Sequence, residues 1–109
     1  MIDEVQSLSM RPMAARLAFA ARLAKDKEAL GDSLEVVKSW FRDLVVWKYH
    51  SGRILNTDLR SKIQRASQNM TVASILSKIN NLHAGQKNIK ANTNLRLTLE
   101  VLIIRLAKV

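Results

Sequence analysis

Apolar residues recur at spacings of three and four along almost the whole chain, and this periodicity constrains the fold more than any other feature. Met13, Leu17, Ala20 and Ala24 repeat at four, three and four, and Leu59, Ile63, Ala66 and Met70 do the same. That is the period of one face of an α-helix. Strand-like alternation with turn punctuation is found nowhere, although the run from Val101 to Ile104 has local β propensity. Three glycines and one proline are too few for a collagen-like or low-complexity chain. The pattern predicts an all-α fold, a compact bundle of about five main helices within one domain of 109 residues. Residues 1–10 form a lead-in with room for a short helix, and residues 11–109 form the helical domain proper.

Punctuation places the helices. Arg11–Lys25 is dense in Ala, Leu and Arg, with Pro12 suited to a first turn. Gly31 interrupts the pattern, and Asp32 with Glu35 three residues later reads as a capping-box restart for a helix over Ser33–His50. Its apolar arc holds Leu34, Val36, Val37, Trp40, Phe41, Leu44, Val45 and Trp47, with Lys48 projecting from the middle. Asn56-Thr57-Asp58 offers cap chemistry for a short helix ending near Asn69. Thr71 can cap a longer one, with Ile75, Leu76, Ile79, Leu82 and Ile89 on its buried side. Gly85 within it costs about 1 kcal/mol relative to Ala, not enough to split the helix. Asn94 or Thr93 can cap the last helix, which runs towards Val109. That helix carries two apolar stripes: Leu95, Leu99, Leu102, Ile103 and Leu106 on one, and Leu97, Val101 and Ile104 on the other.

Much chemistry is excluded. Without cysteine there is no disulfide, thiolate nucleophile or zinc ribbon. The three glycines do not form a phosphate-cradling loop, since Gly85-Gln86-Lys87 has no glycine five residues earlier. His50 and His83 lack a second ligand at helical spacing, so neither a metal nor any other cofactor is expected. Neither a serine elbow nor a Ser/His/acid order is present, and the chain is read as non-catalytic. No apolar run is long enough to cross a membrane, and no secretory signal opens the chain, so no membrane role and a cytoplasmic setting are expected.

Charge divides the chain unevenly. Residues 1–58 hold nine basic and eight acidic side chains, whereas residues 59–109 hold nine basic and only Glu100 as an acid. A basic half can attract nucleic acid, an anionic surface or an acidic partner, or simply solvate a helical surface. Arg60, Lys62 and Arg65 are the candidate basic patch. Glu100, flanked by Leu97, Ile103, Ile104 and Ala107, is a candidate for a buried ion pair with Lys48 or Arg42, since an unpaired buried charge costs several kcal/mol. The alternative is a snorkelling Lys48 and a solvent-facing Glu100.

Three segments in order suggest a family: Trp40-Phe41-Arg42-Asp43-Leu44-Val45, the polar Asn56-Thr57-Asp58, and Asn92-Thr93-Asn94-Leu95-Arg96-Leu97-Thr98-Leu99-Glu100-Val101-Leu102. The chain resembles the C-terminal collar domain of bacterial DNA polymerase III clamp-loader subunits, most similar to the delta-prime subunit and next to gamma/tau. The similarity runs from about Arg11 to the end, and the closing motif is its most specific part. The resemblance implies a subunit-assembly role in DNA replication, with collar domains of gamma/tau and delta as partners. DNA and the sliding clamp would be reached only through the full complex, in the cytoplasm at the replisome. The ATP-contacting parts of such subunits lie in earlier domains, and none carries over to these residues. In that setting Leu97, Val101 and Ile104 are the candidate subunit interface, while Leu95, Leu99, Leu102 and Leu106 are core with Trp40 and Phe41 against them. The opposite orientation of the two stripes is the alternative at this point. The rival reading is an autonomous basic helical domain that binds nucleic acid, against which no recognition helix and no aromatic platform is apparent. A regulator-type interaction domain is a third, without a positive motif.

Overall fold

The computed structural model describes residues 1–91 and 94–108, and among these every regular element is helical. Helix α1 (Ile2–Ser7) runs into a single 3-10 turn (Leu8–Met10), then α2 (Met13–Lys25) and the long α3 (Lys27–His50). Two 3-10 turns, Ser51–Arg53 and Thr57–Leu59, lead to α4 (Arg60–Gln68), followed by α5 (Val72–Ala91) and α6 (Leu95–Leu106). The five expected main helices are present, and the lead-in supplies the sixth. Val5 and Leu8 from that lead-in are buried in the common core, so its ordering follows from apolar burial.

Pro12 stands just before α2 with extended backbone, and its carbonyl accepts from Ala15 and Arg16. The expected restart at Asp32 is not where α3 begins. Helix α3 opens at Lys27, with Asp26 Oδ1 accepting from the Ala29 N–H at 3.1 Å, and runs without a break through Gly31. The physical reason is one of magnitude. A mid-helix glycine costs about 1 kcal/mol, whereas Leu30 and Leu34 on either side are both buried, each contributing about 2 kcal/mol. Asn56-Thr57-Asp58 forms no side-chain cap, the Asn56 side-chain amide turning instead to Ser39 and Asp43, whereas the caps expected at Thr71 and Asn94 are made. Thr71 Oγ1 accepts from the Ser74 N–H at 3.1 Å, and Asn94 Oδ1 accepts from the Leu97 N–H at 3.0 Å. Asn92 and Thr93 of the closing motif, and Val109, lie outside the described residues.

Helix α3 is the spine. Its 24 residues span about 36 Å, and Leu30, Leu34, Val37, Trp40, Phe41 and Leu44 bury one side of it. It packs against α4 and α5, while α6 packs against α2 and α5. Two expected core members stand outside: Val36 at the edge of the α3 arc and Leu76 on α5 are exposed. Both are flanked by residues nearer the centre of the stripe, Val37 and Ile75, which take the buried places.

Candidate functional site

The last helix presents two different faces. Leu99, Leu102, Ile103 and Leu106 are buried and Leu95 packs partly against them, which makes this stripe the core side. On the other side Leu97 is 55% exposed and Val101 is 40% exposed, four residues apart and one above the other, with Ile104 half-buried beside them. Arg105 continues the row one turn further and is exposed. Next to Val101 and Arg105 runs a shallow groove bordered by Asn81 and Asn88 of α5. The two helices lie close there because Gly85 has no side chain. A Cβ on Gly85 would stand 2.9 Å from Leu102 Cδ2 and 3.1 Å from Cδ1, so the glycine is a packing requirement of the α5–α6 contact rather than a weak spot.

The ion pair expected across the bundle does not form. Glu100 is half-buried and pairs along its own helix with Arg96 at 3.5 Å, four residues back. Arg42 turns to its neighbour Asp43 at 3.1 Å, and Lys48 is exposed at the end of α3. Since α6 packs against α2 and α5, Glu100 is not brought to the carboxyl-terminal half of α3. The basic trio of α4 is likewise dispersed. Arg60 lies over the Trp47 ring at 5.3 Å, Lys62 bonds to Asp3 Oδ1 of α1 at 2.9 Å, and Arg65 is simply exposed. Two of the three cations are therefore already engaged within the chain. His83 is also exposed.

Two buried charges escaped the sequence reading. Asp43, fully buried, accepts from the Leu55 N–H at 2.9 Å with one carboxylate oxygen and at 3.1 Å with the other. It also accepts from the Asn56 N–H and the Asn56 side-chain amide, both at 2.7 Å. The Arg-Asp pair of the Trp40–Val45 segment is thus a clamp that fixes the chain where it leaves α3 and turns toward α4. Its signal was positional: Asp43 comes three residues after Trp40 and four before Trp47, which places it on the apolar side of the helix.

Lys78 is the second buried charge. Its ammonium donates to the carbonyls of Leu106 and Lys108, at 2.5 Å each, closing the C-terminal end of α6. Burial pulls its pKa below the ordinary lysine value, because desolvation disfavours the charged form. Ile75, Leu82 and Gly85 lie on the same α5 face at helical spacing, so Lys78 sits in the middle of the buried stripe. Next to it is a cavity of about 530 Å³ lined by Trp40, Phe41, Leu44 and Met70 among others.

Among the described residues no group of three or more His, Asp or Glu side chains could hold a metal ion, and no helix is long and apolar enough to cross a membrane. The outward stripe of α6 is one of the exposed apolar surfaces of the described residues, beside single side chains such as Met10, Tyr49 and Leu55. Comparison with curated proteins and with solved structures yields no match. The model of the family described as DNA polymerase III, delta subunit, C terminal matches residues 3–108, nearly the whole chain. The chain therefore belongs to the family formed by the carboxy-terminal domains of DNA polymerase III delta subunits, which are clamp-loader domains.

Proposed function

We propose that this chain is a non-catalytic assembly domain of the delta-prime type, packing with the collar domains of gamma/tau and delta to hold the clamp-loading ring together in the bacterial cytoplasm. The observation that carries the reading is the outward stripe of α6. Leu97 and Val101 are large apolar side chains held in water on a helix whose opposite face is already core. Exposed apolar surface at helical spacing is what a subunit gives up to a neighbour in a ring of heterologous contacts. Ile104 extends the same stripe. DNA and the sliding clamp are reached through the assembled complex, since two of the three candidate DNA-facing cations of α4 are occupied within the chain.

Light scattering behind size exclusion tests this at about 0.3 M salt, where surface charge is screened. The domain is run alone and with the collar domains of gamma/tau and delta, as wild type and as the Leu97→Glu/Val101→Glu double variant. A mixed species of larger mass that the double variant cannot form supports the reading. A mixed species formed equally well by the double variant moves the interface off α6. No mixed species, together with salt-sensitive binding to DNA, overturns the assembly reading in favour of nucleic-acid binding.

A further inference from the structure

The outward side of α6 changes character along its length. Leu97 and Val101 stand in water in its first half, with Ile104 half-buried beside them. Arg105 lies one turn beyond Val101 on the same row, and Lys108 follows just past the end of the helix; both are exposed. Neither forms an ion pair among the described residues. Glu100, the single acid of residues 59–109, is taken by Arg96 at 3.5 Å. The groove beside the row is bordered by Asn81 and Asn88 of α5 and by Thr98 and Arg105 of α6, and no Asp or Glu lines it. Asn81 and Asn88 make no side-chain hydrogen bond among the described residues. They stand seven residues apart, which keeps them on one side of α5.

We propose that the neighbour covering this face presents an acidic amphipathic helix, its apolar side chains on Leu97 and Val101 and a carboxylate at the level of Arg105. Such a partner presupposes the assembly reading, to which it adds the chemistry of the neighbour. Two large apolar side chains in mid-stripe call for dry cover, which the phosphates of a nucleic acid do not give. Arg105 borders that contact, and its planar guanidinium matches a carboxylate in a bidentate pair once water is expelled. Asn81 and Asn88 offer both donors and acceptors to the polar flank of the incoming helix. Charge favours the same partner. Residues 59–109 carry nine cations against one acid, so an acidic surface is drawn to them, whereas a second copy of this chain would bring like charge to like.

The 109-residue chain is titrated with the gamma/tau and delta subunits at about 0.15 M and about 0.5 M salt, and separately with single-stranded and duplex oligonucleotides. At the lower salt Arg105→Gln should weaken binding to a subunit about tenfold, and Arg105→Glu about a hundredfold. Asn88→Lys adds a cation to the groove and should tighten binding about threefold, a gain that a poorly folded variant could not give. All three effects should shrink at the higher salt, whereas the loss caused by Leu97→Glu/Val101→Glu should persist. If that double variant fails to bind while the Arg105 and Asn88 variants bind as wild type does, the acidic partner is overturned and the assembly reading stands. Wild-type binding to neither subunit overturns both. Oligonucleotide binding tighter than subunit binding, and lost in Arg105→Glu, assigns the face to nucleic acid and also overturns the proposal.

Discussion

Replacing Asp43 by Ala removes the acceptor on which the chain segment after α3 is hung. The carboxylate takes four donors: the Leu55 and Asn56 amides, the Asn56 side chain, and Arg42. Arg42 and the Asn56 side chain can turn to water or, for Asn56, keep their contact with Ser39 Oγ at 3.2 Å. The two amides cannot leave without unmaking the segment. Leu55 has an exposed side chain, so water reaches its amide at a cost of about 1 kcal/mol, whereas the Asn56 amide is half-buried and costs about 2 kcal/mol. The small void left under the segment adds roughly 0.5–1 kcal/mol. The expected loss is then about 3–4 kcal/mol, a large part of the ~5–15 kcal/mol that stabilises a domain of this size. In melting temperature that is roughly 12–18 °C. Urea unfolding followed by the fluorescence of Trp40 and Trp47, both on α3, measures it directly. Asp43→Asn keeps one acceptor oxygen but turns an amide toward donors, and should lose about 2 kcal/mol. Arg42→Ala, which removes only a half-exposed partner, should lose under about 1 kcal/mol. An Asp43→Ala protein within about 1 kcal/mol of wild type, at an unchanged dependence on urea, would refute the clamp.

Gly85→Ala sets about 1 kcal/mol of gained helix propensity against a Cβ lodged 2.9 Å from a methyl of the buried Leu102. Overpacking is expected to win by about 1 kcal/mol, and a raised urea midpoint would show that Leu102 yields instead. Stability should also fall on the acid side. Lys62 holds the Asp3 carboxyl below its usual range, and Gln86 with Lys38 does the same for Glu35. A carboxylate depressed in the folded state stabilises fully above its unfolded value and ceases to do so as pH drops through the folded one, here from about pH 4.5 downward. Asp3→Asn/Glu35→Gln should flatten that acid limb at low salt, with less difference at about 0.5 M salt because both groups face water. Parallel acid limbs for wild type and double variant would exclude these two carboxyls as the cause.

Where local chemistry decides, the sequence was readable. The caps at Thr71 and Asn94 act through hydrogen bonds to amides three residues on, and they are found where the residue types indicate. The two stripes of α6 were legible from spacing, and the ordered motifs pointed to a clamp-loader C-terminal domain, the coarser part of that resemblance and the part that the family match supports. Misreadings came where a local signal competed with burial. Gly31 and Asp32 resembled a break, but Leu30 and Leu34 carry α3 through it. Lys48 and Lys78 each interrupt an apolar arc, and only Lys78 is buried, because Lys48 lies two residues from the end of its helix while Lys78 faces the end of α6.

By itself the sequence determined the helical period, the all-α class, several of the helix ends, and the presence of more apolar surface on α6 than one core contact needs. These are properties of residues a few positions apart, governed by backbone geometry and short-range hydrogen bonds. Tertiary structure alone decided which stripe of α6 is core, that Glu100 pairs with Arg96, that Asp43 holds the segment after α3, and that Lys78 closes α6 beside a cavity. Each depends on which helices become neighbours, as with Lys78 of α5 and Leu106 of α6, 28 residues apart in the chain. Periodicity says that a face must be covered, but only the packing of distant helices says by what.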